Sequence, residues 1–311
     1  MRHDIEQLFK DFLYESEFVK KSRPGTLMGY QRVFELFRKL LPDQDMEDIN
    51  EATIARFFNI LQTRRRIVGN GSVRSGIKKS TVASYYRKLN VFFAWLERRR
   101  YIKANPFKGV HCPKPNYDDK KYLKREEIER IISAIMVASG NNLLVYKRNV
   151  AIINLLLFCG FRRSELLNLQ LRDVDFENKM ITVRAETSKS DRLRVIPMHS
   201  QVILCLKDYL KERQKYTTPY LIVSRNYDGK LGNHGLKHLF VKISESSGIK
   251  FHTHQFRHTF AVNFLKSSNN LAKLKQLLGH TDISMTAQYL RCLPILEFRK
   301  DIEHMSVDRL I

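Results

Sequence analysis

The sequence predicts a mainly α chain with one small antiparallel sheet, an α+β protein of two domains, and three observations carry that prediction. Apolar residues recur at three- and four-residue spacing through most of the chain. Alternation with period two is confined to two short stretches, near residues 180 and 195. The apolar pattern breaks over a proline-bearing stretch from Lys103 to Lys121, and a length of 311 residues fits about two domains. At 43% hydrophobic and 28% charged residues, the composition is that of a packed globular chain.

In the first domain, an acidic amphipathic segment leads to a helix capped by Thr26. This helix runs to about Leu41, with Leu27, Tyr30, Val33, Phe34, Phe37 and Leu41 on one face and Pro42-Asp43 ending it. A second helix is expected from about Asn50 to Gln62, burying Ile54, Phe57, Phe58 and Leu61. Arg64 to Lys79 carries Gly69, Gly71 and Gly76 among six basic residues without an apolar period, and reads as a mobile basic loop that orders only on its ligand. Ser80 or Thr81 then caps a strong helix to about Arg100. It buries Val82, Tyr85, Leu89, Phe92, Phe93 and Leu96 and projects Arg87, Lys88, Arg98, Arg99 and Arg100 outwards. Pro106, Pro113 and Pro115, with Gly109 and five lysines, mark the linker, so the domains are read as 1–117 and 118–311.

The second domain resumes near Lys124 with a helix rich in Ile128, Ile131, Ile132 and Ile135. A buried helix over Asn149 to Cys159 ends at Gly160, and another runs from Arg163 to about Leu169. Met180 to Arg184 and Leu193 to Pro197 alternate around the polar turn Thr187 to Asp191, which reads as a β-hairpin. Helices follow near 200–214, 233–247, 253–266, 270–278 and 282–291, with a last one from about 295 and a short strand at Tyr220 to Val223.

Charge narrows the partner. The formal net charge is +23, and it is uneven: residues 61–114 hold 14 basic side chains and one acidic, Glu97, whereas residues 1–60 hold 9 basic and 11 acidic. Such a block is the footprint of a polyanion. Its candidate contacts are Arg64, Arg65, Arg66, Lys78, Lys79, Arg87, Lys88, Arg98, Arg99 and Arg100. The longest apolar stretch, Val150 to Cys159, is far short of a membrane span, and the N-terminus has no apolar signal core, so the cytosol is the expected compartment. Cys112, Cys159, Cys205 and Cys292 lie far apart. Cys159 and Cys205 sit in apolar runs, as buried thiols in a reducing compartment would.

Four features of the second domain converge on one reaction. Arg162 stands where a buried helix ends and another starts, beside free backbone N–H groups. Lys189 occupies the hairpin tip, where a flexible ammonium reaches over a ligand. His254 and Arg257 lie three apart at a helix start, and Leu278-Gly279-His280 closes a helix nine residues before Tyr289. Together they can bind one phosphodiester: arginines for the non-bridging oxygens, imidazoles for proton transfer, a lysine, and a phenol as nucleophile. Arginines also neutralise a pentacoordinate transition state that would otherwise call for a metal, so neither a metal nor any other cofactor is expected.

These residues and their surrounding words resemble the tyrosine recombinases of the phage-integrase and Xer-like type. The order Arg, Lys, His-x-x-Arg, His, Tyr is met by Arg162, Lys189, His254 with Arg257, His280 and Tyr289. The words Gly160-Phe-Arg-Arg-Ser-Glu-Leu, Phe256-Arg-His-Thr-Phe-Ala and Leu278-Gly-His-Thr-Asp-Ile-Ser-Met-Thr fit as well, and similarity extends through Pro24-Gly-Thr-Leu to Asn105-Pro106. The resemblance implies a helical, SAM-like core-binding domain followed by a catalytic domain, and site-specific recombination of double-stranded DNA through a 3′-phosphotyrosyl link and a Holliday junction. By the same resemblance Tyr289 attacks, Lys189 protonates the leaving 5′-oxygen, Arg162 and Arg257 clamp the phosphate, and His254 moves the tyrosine proton. His280 would bond a phosphate oxygen, and Glu165 would support Arg162. It further implies a homotetramer in the synapse from monomers free in solution, with the segment from Pro294, bearing Ile295, Phe298, Ile302 and Met305, docking on a neighbouring protomer. Arg163 departs from an often apolar position. With no domain ahead of residue 1 for arm-type sites, a recombinase of core sites is expected, the need for accessory DNA-bending proteins being left open.

The competing readings are sharper or blander. A zinc site at His252, His254 and His258 lacks the glutamate of the metalloprotease word and any matching cysteine. A type IB topoisomerase shares the phosphotyrosyl chemistry, but usually has lysine where His254 stands. A DNA-binding regulator without catalysis is disfavoured because every catalytic position is filled.

Overall fold

A computed structural model describes residues 4–42, 44–68, 71–114, 122–188 and 190–293. The chain divides into two compact units, Met1–Asp119 and Lys120–Ile311.

The first unit is built on α1 (Ile5–Tyr14), α2 (Pro24–Leu40), α3 (Glu51–Thr63) and α4 (Lys79–Arg98). Asp4 caps α1 by accepting from the Glu6 N–H, and Asn50 caps α3 in a reciprocal box with Thr53. The start of α2 is a correction: it begins at Pro24, not at a Thr26 cap. Proline at the first helical position gives up an N–H that has no partner there anyway, and its fixed φ suits the helix. The core is aromatic. Phe9 stacks on Phe34 at 3.8 Å between centroids, Phe92 meets both edge-on, and Phe37, Phe57 and Phe93 continue the cluster. Each fully buried ring contributes roughly 1.5–3 kcal/mol by leaving water. Trp95, beside this core, is also buried and donates from its indole N–H to Glu15 at 2.7 Å.

A second correction concerns Arg64 to Lys79. It is not a structureless loop but carries an antiparallel hairpin, β1 (Arg65–Val68) with β2 (Ser72–Ser75). Arg-Arg-Ile-Val does not alternate and Ser72–Ser75 is exposed throughout, so neither strand shows a buried face, and glycine is what the turn geometry needs: Gly71 has φ +82.

The second unit packs α5 (Arg125–Ser139), α6 (Leu143–Cys159), α8 (Ser200–Arg213), α9 (Asn233–Ser247) and α10 (Thr253–Ser268). With them are the short α7 (Arg163–Leu167), α11 (Leu271–Leu278) and α12 (Ser284–Ala287). Helix α6 is apolar nearly all round and buried against α5, α8 and α10. It starts well before the expected Asn149, capped by Asn142, and its one interior guanidinium, Arg148, is satisfied by the Val223 carbonyl and Asn149. The sheet runs β3 (Val174–Asp175), β4 (Met180–Val183), β5 (Arg194–Pro197), antiparallel throughout, with Ile181 opposite Ile196. The edge strand β3, only two residues long, gives too short an alternation to read from sequence. Tyr220 and Val223 form isolated bridges to Gln170 and Lys230 rather than a strand. The helix expected over 282–291 is two pieces, α12 and a 3₁₀ turn Leu290–Cys292. The helix expected from 295, with Ile295, Phe298, Ile302 and Met305, lies outside the described residues. Cys159 is buried and Cys205 only half-buried; Cys112 and Cys292 are half-buried as well.

Candidate active site

The site begins where α6 stops. Gly160 takes φ +60, and a Cβ there would stand 2.4 Å from the Phe260 ring, so only glycine lets the chain turn this tightly over α10. Two residues on, Arg162 is the N-cap of α7. Glu165, one helical turn along, accepts from the Arg162 backbone N–H at 2.8 Å with one oxygen and from its Nη1 at 2.8 Å with the other. A local helix-start motif thus aims a guanidinium.

Glu165 has a second arginine. Arg194 projects inward from β5 and grips the carboxylate with Nη1 at 3.1 Å and Nη2 at 2.7 Å, while its Nε donates to the Leu277 carbonyl at 2.9 Å. Burial would raise the Glu165 carboxyl pKa. The Arg194 hydrogen bonds and charge, with those of Arg162, outweigh it and hold the group at about 2. Arg257, from α10, approaches the same carboxylate to 4.0 Å and is anchored elsewhere: Nη1 donates to the Gly160 carbonyl at 2.8 Å and Nη2 to the Leu278 carbonyl at 2.7 Å. Burial, then the charge of Arg162, lowers its pKa to about 10, so it stays cationic at neutral pH. Three guanidinium groups therefore surround one carboxylate.

His280 follows Gly279, which is left-handed at φ +62 and packs against the Arg194 side chain. Arg257 Nη2 lies 3.1 Å from His280 Nε2. A guanidinium only donates, so Nε2 accepts and the proton sits on Nδ1, which donates to the Thr286 hydroxyl at 2.9 Å. Burial, then Arg257, lowers the imidazole to about 4, and it is neutral. The Tyr289 ring lies parallel to His280 at 6.3 Å and edge-on to His258 at 5.2 Å. It is 3% exposed. Burial raises its pKa above 10, opposed by the charge and hydrogen bond of Arg257.

The expected residues therefore fall into three groups. Arg162, Glu165, Arg257, His280 and Tyr289 gather in one place. His254 stands at the rim, exposed, with its pKa lowered by the protein around it, then by Arg257, His252, Arg162 and Arg163. Lys189 lies outside the described residues. Arg163 is exposed and, with Lys237, Phe240, Lys250 and His252, lines a cavity of about 620 Å³. His252 and His254 have ring centroids 6.5 Å apart, whereas His258 turns towards Tyr289. Sequence reasoning missed Arg194. The signal was a basic residue at an inward position of an alternating strand, Leu193-Arg-Val-Ile.

Of the basic residues in the first unit, Arg65, Lys78, Lys79, Arg87, Arg98, Arg99 and Arg100 are exposed, and Arg64, Arg66 and Lys88 half-buried. Arg99 is already engaged, pairing with Glu15 at 2.6 Å. The Trp95 hydrogen bond, against a smaller opposing effect of burial and aided by Arg99, holds the Glu15 carboxyl at about 2.

Comparison with known proteins agrees with this architecture. The sequence profile of the phage integrase family matches residues 121–294, and that of the phage integrase SAM-like domain matches residues 7–116. Tyrosine recombinase XerC of Oceanobacillus iheyensis is 26% identical over 296 residues, covering 92% of each chain. XerC of Vibrio vulnificus is 30% identical over 230 residues, 72% of this chain and 70% of that one. In fold, the Tn1549 transposon integrase in complex with transposon right end DNA superposes with a TM-score of 0.77 at 20% identity, over 97% of this chain and 99% of that one. A lambda integrase dimer bound to a core site gives 0.70 at 19% identity, over 92% and 95%. A SAM-like helical unit, a matching catalytic unit and relatives aligned along 92% of the length lead to one statement: the chain belongs to the phage integrase family and is a site-specific tyrosine recombinase.

Proposed function

We propose that residues 118–311 cleave and rejoin double-stranded DNA with Tyr289 as nucleophile, and that residues 1–117 bind the core site. The Tyr289 oxygen attacks the scissile phosphorus, the bond from phosphorus to the 5′-oxygen breaks, and Lys189 gives that oxygen its proton. The strand end is kept as a 3′-phosphotyrosyl ester until a 5′-hydroxyl of the partner strand attacks it and returns the proton to the tyrosine side. Bond energy is conserved in the ester, so no nucleotide is consumed. Arg162 and Arg257 neutralise the non-bridging oxygens, which leaves no step that calls for a metal. Glu165 is a positioning residue for Arg162. His254 relays the tyrosine proton from the rim. His280 must move its proton from Nδ1 to Nε2 to donate to a phosphate oxygen, which phosphate binding favours by accepting the Arg257 Nη2 hydrogen that His280 Nε2 otherwise takes.

The observation that carries this reading is the gathering of Arg162 and Arg257 around Glu165 with Tyr289 hydrogen-bonded to Arg257, the cations being held by structure rather than by solvent. Four protomers would synapse two sites and exchange strands in pairs through a Holliday junction in the cytosol, with or without accessory DNA-bending proteins. The test is a suicide duplex, nicked beside the crossover site recovered from DNA flanking the gene. Wild type should yield a covalent adduct resistant to detergent, and Tyr289→Phe none; an adduct with the variant would remove Tyr289 as nucleophile.

A further inference from the structure

The hairpin β1–β2 stands on a fixed base. The Gly76 N–H donates to the Arg64 carbonyl at 2.9 Å, the Gly76 carbonyl accepts from Arg66 Nε at 3.0 Å, and Ser75 Oγ donates to the Thr63 carbonyl at 3.1 Å. Gly76 has φ +64, and a Cβ on it would stand 2.2 Å from the Gln62 carbonyl oxygen, so the ribbon leaves α3 in one direction. A two-stranded ribbon alone is marginal in water, and this one carries two further costs. Arg66 lies directly opposite Arg74, like charge against like charge. On the other face Ile67 opposes Val73, and the two are 77% and 64% exposed. Among the described residues no acidic side chain pairs with Arg65 or Arg74, and the stretch 64–79 holds six basic residues and no acid.

One partner relieves both costs. The major groove of a duplex, about 12 Å wide, admits a two-stranded ribbon, offers phosphates along both walls, and presents thymine C5-methyl groups at its floor. We propose that the hairpin enters the major groove, setting Ile67 and Val73 against thymine methyls and Arg65, Arg66 and Arg74 on the flanking phosphates. The inference rests on the reading of the chain as a DNA recombinase, and it makes the hairpin an element that reads sequence, with a preference for thymine.

The experiment uses the full-length protein with a 30-base-pair alternating A·T duplex, and with the same duplex carrying deoxyuridine for every thymine, binding being followed by fluorescence anisotropy. Uracil lacks only the C5-methyl group. Wild type should bind the thymine duplex about fourfold more tightly for each methyl buried. Ile67→Ser/Val73→Ser, at two exposed positions, should lose that preference while keeping its salt dependence. Arg65→Gln/Arg74→Gln, at two exposed positions outside the base contacts, should keep the preference, weaken both duplexes equally, and flatten the slope of log K against log salt by roughly two. Equal binding of the two duplexes by wild type, or a preference that survives in the Ile67/Val73 variant, overturns the proposal. So does a change of sedimenting mass in that variant without DNA, which would assign the apolar pair to a second copy of the chain. Adduct formation by Tyr289 is scored on the same preparations, so that failure of the hairpin and failure of the catalytic reading are seen separately.

Discussion

In the first unit Arg65, Arg98 and Arg100 are exposed, around a core of packed phenylalanine rings. In the second, Arg162, Arg194 and Arg257 are drawn inside around Glu165, with Arg257 only 4% exposed. The same residue type serves two physical ends. An exposed cation is screened by salt and free to follow a backbone of phosphates, which gives affinity without geometry. A buried guanidinium is costly to hold but fixed in place, and a fixed cation in a water-poor site stabilises charge that develops during reaction.

The sharpest way to break this contrast is to remove the carboxylate at its centre. Glu165→Ala leaves Arg162 and Arg194 buried without their anion, and should cost about 3–5 kcal/mol of second-unit stability in denaturant titration, with loss of adduct formation. The first unit should melt as before. Acid separates the units next. His280 is held near 4 in the folded state against 6.5 when unfolded, so between those values the unfolded chain takes up the proton and the folded one does not. The second unit should therefore lose roughly 3 kcal/mol as pH falls from 7 to 4, and His280→Gln should abolish most of that loss. The carboxyls of Glu15 and Glu165, held near 2 against 4.5, withdraw their contribution only between pH 4.5 and 2, so the first unit should hold its melting temperature down to about 4.5. On the exposed side, Arg98→Gln/Arg100→Gln should leave melting unchanged and flatten the salt dependence of duplex binding by roughly two. The smallest effect is expected for Arg99→Gln, a shift in melting temperature close to the limit of detection, because its pair with Glu15 is half in water.

What could be read in the sequence was what short range determines. Arg162 and Glu165 are three residues apart and a helix start brings them together, so their pairing is local, although only the resemblance to relatives singles out Glu165 in the sequence. Asn50, Gly160 and Gly279 announce helix ends by their own chemistry. Arg194 was not legible as part of the site, because its carboxylate lies 29 residues away and the pair exists only once β5 has packed beside α7 and α11. The hairpin after α3 was missed for the opposite reason: glycines that permit its turn were read as punctuation of a loop, and its exposed faces gave no burial pattern. Tyr289 was placed by its neighbours in sequence, but its orientation depends on Arg257 and His280, which arrive from α10 and the end of α11.

Arg257 and Arg194 rest partly on the carbonyl oxygens of Gly160, Leu277 and Leu278, the terminal acceptors of α6 and α11. Carbonyls are dipoles, so they hold a guanidinium in place without cancelling its charge. Around Glu165 one negative charge faces three positive ones, and the folded pocket is short of anions in a way the unfolded chain is not. Any small oxyanion that fits then acts as a ligand of the native state, raising its stability by RT ln(1 + [L]/Kd). The choice of buffer ion becomes a thermodynamic variable: phosphate or sulfate, compared with chloride at equal ionic strength, should lift the melting temperature of the second unit and leave the first where it was.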